Sequence, residues 1–175
     1  LDWILRRLKS LHGGSLFATG VSLGGNALLK WLGEQEASAC DVVTAAAAVS
    51  APLDLALASR TLESGFNRIY TNNFLKTLVP RALVKHRRFP GVIDEVRLTR
   101  AHTLADFDSA VIAPVHGFVD ANDYYVKCSS KQFLRFVRVP TLVLNARNDP
   151  FLPEQALPAA SEVSKDVELH FPADG

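Results

Sequence analysis

An α/β fold with a mostly parallel sheet and flanking helices is the class that this sequence predicts, on three observations. Short apolar runs typical of buried strands occur at 15–19, 41–50, 139–145 and 167–171. Helical periodicity flanks the first run on both sides. The whole chain alternates as strand, helix, strand, long helical segment, strand, helix, strand. That order is typical of a parallel sheet with crossover connections.

The N-terminal elements follow from spacing. A helix is predicted over 1–11, ending at His12-Gly13-Gly14, and a second helix over 24–36. The segment 41–50 is ambiguous, because its four alanines favour helix while its valines and the stop at Ala51-Pro52 favour a buried strand. We interpret it as a strand.

The remaining chain divides into two further parts. Residues 52–138 contain helical pieces without a clear strand, which predicts a helical lid inserted into the sheet. Residues 139–175 return to the α/β pattern of residues 1–51, with a helix predicted over 153–163. We therefore expect one domain whose sheet is interrupted by the insertion.

Composition restricts the function classes. The chain is 48% hydrophobic and 21% charged, with a net charge of +1, which is ordinary for a soluble protein and gives no case for a nucleic-acid partner. No metal-ligand spacing or phosphate-binding loop occurs, so no cofactor is expected. Cys40 and Cys128 are interpreted as free thiols of a reducing, cytoplasmic compartment, with one disulfide as the alternative. The chain begins with Leu, has no Met and stops at HFPADG, so we expect it to be a piece of a longer protein.

The stretch Gly20-Val21-Ser22-Leu23-Gly24 lies between a predicted strand and a predicted helix. In such a turn the hydroxyl of Ser22 is exposed as a nucleophile, and the Leu23 N–H at the helix N-terminus can face an oxyanion. Gly20 and Gly24 are expected to be required because larger side chains would collide across the turn. The alternative is a glycine-rich turn that only joins two elements.

Asp149 follows the third predicted strand, in the turn Asn145-Ala146-Arg147-Asn148-Asp149-Pro150. Functional groups of open parallel sheets collect at the carboxyl ends of strands. Asp149 follows Ser22 in the chain order of a serine triad, so we interpret it as the acid that orients a histidine. The alternative is a cap for the next helix.

No histidine of the chain fits the role of base. His170 lies in a predicted strand, so its ring should face a sheet surface. His116 precedes Asp149 and breaks the order, and His12 only leads into the strand that carries Ser22.

Four segments together resemble the YheT-type family of α/β-hydrolases: GVSLGGNALLKWLGE, VSAPLDL, FDSAVIAPVHGFVDANDYY and PTLVLNARNDPF. That family contains predicted serine esterases, and its eukaryotic relatives act on acylglycerols, phospholipids or medium-chain acyl esters. The resemblance implies an α/β-hydrolase fold with Ser22 as nucleophile and Asp149 as triad acid. It also implies a triad histidine in a GGH segment beginning where this sequence stops, and an oxyanion loop preceding residue 1. We therefore expect the 175-residue chain alone to have little or no turnover.

The expected activity of the whole protein is hydrolysis of carboxylic esters of small molecules or lipids through an acyl-enzyme on Ser22. Acyl transfer to an alcohol and a non-catalytic binding module remain alternatives. No obligate protein partner is implied.

Two further groups of residues have a plainer interpretation. The cluster Arg81, Lys85, His86, Arg87 and Arg88 is expected to be a solvated helix face, with transient contact to an anionic membrane as the alternative. Most of a group of aromatic residues are expected in the core, with one or two facing substrate: Phe66, Phe74, Phe89, Phe118, Tyr124 and Tyr125.

Overall fold

Four parallel strands form one sheet in the order β1-β2-β3-β4, which confirms the predicted α/β class. The computed structural model describes residues 1–175. The strands are β1 Phe17–Val21, β2 Ala45–Val49, β3 Thr141–Leu144 and β4 Val167–His170. The helices are α1 Asp2–His12, α2 Leu23–Gln35, α3 Leu55–Leu62, α4 Arg68–Arg88, α5 Glu95–Thr99, α6 Leu104–Phe107, α7 Ala113–His116 and α8 Ala121–Cys128. Segments of 3-10 helix occupy Glu36–Asp41, Gly65–Asn67, Ser130–Phe136, Glu154–Ala156 and Ala160–Glu162.

The chain divides into two units. Residues 1–54 and 128–175 form the sheet unit, and residues 55–127 form the helical unit. The sequence-based boundary of the insertion was set at 138, whereas residues 128–138 belong to the sheet unit. Close packing explains this: a Cβ on Gly33 of α2 would lie 2.4 Å from the backbone oxygen of Phe133. The 3-10 segment Ser130–Phe136 thus lies directly against α2.

The core of the sheet unit lies beneath α2. Leu29 and Leu32 of that helix, and Ala48 and Val143 of the central strands, are fully or almost fully buried. Alanine at the centre of β2 leaves room for neighbouring side chains, which is why an alanine-rich segment can serve as a strand here.

Helix α1 is attached to α2 by a polar contact. The carboxylate of Asp2 accepts hydrogen bonds from the indole of Trp31 at 3.0 Å and from Arg6 at 2.8 Å. The indole bond, more than any other contact, lowers the pKa of Asp2. Leu5 is the buried residue of α1.

The helix predicted over 153–163 is wrong. The structure has two separate single turns there, Glu154–Ala156 and Ala160–Glu162. Leu157 between them is extended, with φ −67° and ψ 141°, as expected for a residue that precedes proline. Pro158 therefore prevents the apolar spacing of this segment from forming a continuous helix.

The helical unit has its own core, with Leu98 and Ala110 fully buried. A π-helical turn, Asp108–Ile112, lies in it. The hydroxyl of Tyr125 donates to Asp108 at 2.7 Å and also lies 3.2 Å from Ser59, so α3, the π-turn and α8 are joined by one polar network. Burial raises the pKa of Asp108 to about 6, against the opposing effect of the Tyr125 hydrogen bond.

Aromatic residues of this unit are less buried than the sequence suggests. Tyr125 is buried, but Phe66, Phe74 and Phe89 have exposed fractions of 75%, 43% and 62%. The expectation that most of the group lies in the core is wrong for these three. Their positions flank or lie on α4, which buries only Thr71, Leu75 and Ala82.

Two findings concern the cysteines and the possibility of a membrane-spanning helix. Neither Cys40 nor Cys128 forms a disulfide. None of the helices combines the length and the hydrophobicity that crossing a bilayer requires.

The raised pKa of Asp108 predicts a pH-dependent stability. Because the folded state holds this proton more tightly than the unfolded chain, the free energy of unfolding should fall as pH rises from about 4 to about 6. The expected change is roughly 2 kcal/mol, and Asp108→Asn should remove it. Urea unfolding across this pH range measures it.

Asp123→Asn is the matched control, since the hydrogen bond from Lys127 lowers the pKa of Asp123 instead. A pH dependence that survives in Asp108→Asn, or that disappears equally in Asp123→Asn, would contradict the assignment.

Candidate active site

The carboxyl ends of the strands lie level with one another. Val21, Val49, Leu144 and His170 form one row across the sheet by register. The ladder extends one residue further, because the N–H of Ser22 donates to Val49 O at 2.9 Å. The equivalent bonds run from Ser50 N–H to Leu144 O and from Asn145 N–H to His170 O. A row of polar residues therefore occupies this edge of the sheet.

Ser22 has a backbone conformation that side-chain-bearing residues rarely adopt, with φ 52° and ψ −129°. Its carbonyl oxygen accepts the first hydrogen bonds of α2, from the N–H groups of Gly25 and Asn26. The chain thus passes from β1 into α2 within a single residue, and that residue is exposed. Leu23 begins the helix, so its N–H has no intrahelical acceptor.

Close packing at this turn involves a different pair of glycines from the one expected. A Cβ on Gly20 would lie 2.5 Å from Gly24 O, and one on Gly25 would lie 2.8 Å from the Cβ of Ala51 and 3.0 Å from Gly20 O. A Cβ on Gly24 would meet nothing within 4 Å. The prediction for Gly20 agrees with this geometry, and the prediction that Gly24 avoids a collision is wrong. Gly25 faces the point where β1 and α2 cross, and Gly24 points away from it.

Asp149 is half-buried in the turn after β3, two strands from Ser22. Adjacent strands are about 5 Å apart, so the two strand ends are separated by about 10 Å. One oxygen of Asp149, Oδ1, accepts from the N–H of Phe151 at 2.9 Å. Its other oxygen makes no hydrogen bond within the chain and can accept from another group. No α-helix follows for Asp149 to cap, and its bond to Phe151 instead caps the turn after β3, so this local role stays an alternative to the triad acid.

The histidines lie as follows. His170 ends β4 on the same exposed face as Glu168, opposite the buried Val167. His116 lies in the helical unit at the end of α7, and His12 is the last residue of α1 before the left-handed Gly13.

The residues after β4 run beside the turn that leads to Asp149. The N–H of Arg147 donates to Pro172 O at 2.9 Å, and the amide of Asn148 donates to the Asp174 carboxylate at 3.0 Å. A Cβ on Gly175 would lie 2.6 Å from the Cβ of Ala146. The last residues of the chain therefore lie against the turn that carries the candidate acid.

Two residues near the site, Ser50 and Asn26, are not predicted from the sequence. Ser50 directly follows β2, lies between Ser22 and the β3 turn, and has φ 48°. Asn26 is 3% exposed and joins distant segments: its side chain donates to Cys128 O at 2.9 Å and accepts from Ser130 N–H at 2.8 Å. In the sequence, Asn26 lies on the otherwise apolar side of a predicted helix, and this position indicates a buried asparagine with specific hydrogen-bond partners.

No group of three or more side chains of the kind that ligates metals comes together in the structure.

The glycine geometry predicts opposite effects of two neighbouring substitutions. Gly25→Ala should destabilise the protein by about 1–3 kcal/mol, because neither Ala51 nor the Gly20 carbonyl can withdraw easily. Gly24→Ala should be neutral or stabilising by up to about 1 kcal/mol, since alanine is the better helix former. Urea unfolding of both variants tests this, and equal destabilisation would contradict the geometry.

The strained backbone of Ser22 gives a further prediction. Ser22→Gly should be more stable than Ser22→Ala by about 1 kcal/mol, because glycine tolerates this conformation and alanine retains the strain. Both variants lack the hydroxyl, so their difference isolates the backbone. Thermal unfolding measures it, and an alanine variant of equal or greater stability would argue against strain.

Comparison with known proteins gives relatives along almost the whole chain. No family model matches it. The chain is 35% identical over 177 aligned residues to YheT of Escherichia coli K12, covering 99% of this chain and 52% of YheT. It is 33% identical over 160 residues to the mouse phospholipase ABHD3, covering 90% of this chain and 38% of that protein. The chain thus spans about half, or less, of the length of these relatives.

A solved structure of an α/β fold family hydrolase from Bacillus anthracis has a TM-score of 0.51 with this chain. It is 18% identical, and the match covers 97% of this chain and 65% of the other. The likeness shows the fold. Together with the sequence relatives, it shows that the chain belongs to the YheT-type family of α/β-hydrolases.

Proposed function

We propose that the protein hydrolyses carboxylic esters through a covalent acyl-enzyme on Ser22. The observation that carries the proposal is the turn at Ser22, where a single strained residue exposes a hydroxyl at the carboxyl edge of the sheet. Strained conformations of this kind persist where surrounding structure holds them, and they cluster at active sites. Asp149 on the same edge supports the proposal.

In the proposed reaction the Ser22 oxygen attacks the carbonyl carbon of the ester while its proton passes to a histidine. The Leu23 N–H stabilises the negative charge that develops on the carbonyl oxygen, aided by the N-terminus of α2. Collapse of the tetrahedral intermediate breaks the bond to the alcohol, which leaves with the proton. Water then attacks the acyl-enzyme by the same route and releases the acid.

Asp149 would hold that histidine through its second carboxylate oxygen and stabilise the imidazolium. In our proposal the histidine comes from the segment after the last strand, as the family resemblance implies. The path of residues 171–175 supports this, because it lies against the turn that carries Asp149. His170 fits less well, since its side chain lies on the exposed sheet face with Glu168.

The names of relatives suggest the substrate class. Mouse ABHD3 is named as a phospholipase, and human ABHD2, 25% identical over 164 residues, as a monoacylglycerol lipase. We propose acyl esters of this kind, either lipids or smaller short- and medium-chain esters, as substrates of the whole protein.

A fluorophosphonate probe tests the nucleophile in the full-length protein. The probe should label the wild type and leave Ser22→Ala unlabelled, because the phosphonyl group bonds to an activated serine oxygen. Ser50→Ala is the matched control, since Ser50 directly follows the adjacent strand with a similar φ and should leave labelling unchanged. Asp149→Asn should lower kcat/KM for an acyl ester roughly 10³–10⁴-fold.

A folded wild type that stays unlabelled would favour the non-catalytic binding module. Labelling that is lost in Ser50→Ala but kept in Ser22→Ala would identify Ser50, after the adjacent strand, as the nucleophile. Labelled protein that transfers its acyl group to an added alcohol in preference to water would indicate acyl transfer.

A further inference from the structure

Helix α4 presents one continuous exposed face. Six residues spaced three or four apart lie along it, and all are exposed: Tyr70, Phe74, Thr77, Arg81, Lys85 and Arg88. We call this stripe the outer face of α4. Thr71, Leu75 and Ala82, which lie about 100° further around the helix, are buried in the helical unit. The helix is thus fixed to its unit along one side only.

The first half of the outer face is apolar. Tyr70 and Phe74 are 37% and 43% exposed, and Ile69 beside them is 50% exposed. Phe66, one turn earlier, is 75% exposed. Large apolar side chains that lie together in water mark a surface that contacts something else.

The second half is strongly basic. Arg81, Lys85, Arg87 and Arg88 lie there, Arg68 and Lys76 lie in the first half of α4, and the helix contains neither Asp nor Glu. None of the six forms an ion pair in the structure. Of the two acids that follow, Asp94 pairs with Arg97, and Glu95 lies 3.6 Å from His86 of α4 and not against a lysine or arginine of the helix. The positive charge of α4 is therefore not neutralised by its own unit.

We propose that the outer face of α4 binds the surface of an anionic lipid bilayer. Aromatic side chains of such a helix enter the boundary between headgroups and acyl chains, while lysines and arginines contact the headgroup phosphates. The 21 residues of α4 extend about 30 Å, enough for the face to lie along the bilayer. Positive charge without internal partners is complementary to the negative leaflet.

A merely solvated helix does not account for these features. Such a helix usually interleaves acids with bases at spacings of three or four, and α4 has no acid. Solvation also gives no reason for phenylalanines on the exposed side. A nucleic-acid partner fits less well, because the whole chain has a net charge of only +1 and the basic residues are confined to one end of the face.

The binding needs neither Ser22 nor Asp149, so the inference stands apart from the proposed hydrolysis. It can be measured without substrate, by sedimentation with vesicles of phosphatidylcholine alone or mixed with phosphatidylserine. Binding should be much stronger to the mixed vesicles and should weaken as salt is added.

Charge is tested by the triple variant Arg81→Gln, Lys85→Gln and Arg88→Gln, whose partition into mixed vesicles should fall about a hundredfold. A control with the same change in net charge is Arg7→Gln, Arg135→Gln and Lys165→Gln. These three residues are exposed on the sheet unit and should leave binding almost unchanged. Circular dichroism verifies that both triple variants are folded.

The apolar half is tested by Phe66→Ser with Phe74→Ser, which should lower binding at least tenfold at every salt concentration. Val119→Ser with Val126→Ser is the control, since these valines are 87% and 60% exposed but lie outside the outer face. The fluorescence that Phe74→Trp adds to that of the native Trp3 and Trp31 should be quenched by brominated lipid.

Equal binding to neutral and mixed vesicles, or equal losses in the two triple variants, would overturn the proposal. So would the absence of binding to either kind of vesicle. Binding to nucleic acid that the charge variant abolishes, with no vesicle binding, would assign the face to a different partner.

Discussion

The contact on which this structure depends is the crossing of β1 and the first turn of α2. Gly20 and Gly25 allow the two backbones to approach so closely that a methyl group at either position would overlap an atom of the other side. Because the chain turns within one residue, Ser22 carries the whole change of direction and lies exposed at the strand end. The packing thus determines where the candidate nucleophile is, and the strain at Ser22 is a consequence of it.

A second constraint links helix α2 to the segment that follows the insertion. Asn26, in the first turns of α2, binds the backbone at Cys128 and Ser130, where the chain re-enters the sheet unit. Both bonds are buried or nearly so, and a buried backbone N–H without a partner would be costly. The helix that begins at the candidate nucleophile therefore also positions the segment leading to β3 and its acid.

Local patterns predicted most of the sheet unit, because strands, crossovers and the turn at Ser22 are specified by short stretches of sequence. Three features of the structure could not be predicted from such local patterns. Gly24 and Gly25 look alike in sequence, and only the position of Ala51 decides which one must lack a side chain. The 153–163 segment has helical spacing, but Pro158 imposes an extended residue before it. Phe74 is exposed because it lies on a side of α4 that is not packed against the helical unit. Its apolar side chain alone does not predict which side of the helix is exposed.

The N–H of Lys131 donates to Leu53 O at 3.0 Å, so the polypeptide leaves the sheet unit and comes back at adjoining points. The entropy lost in joining those points rises only slowly with the number of residues between them. Such an insertion can lengthen, shorten or be exchanged during evolution while Ser22 and Asp149, the candidate nucleophile and acid, stay where they are. Under the proposed function, new substrate preferences in this lineage need not come from the sheet unit, because changes confined to the inserted helices leave its closing contact unchanged.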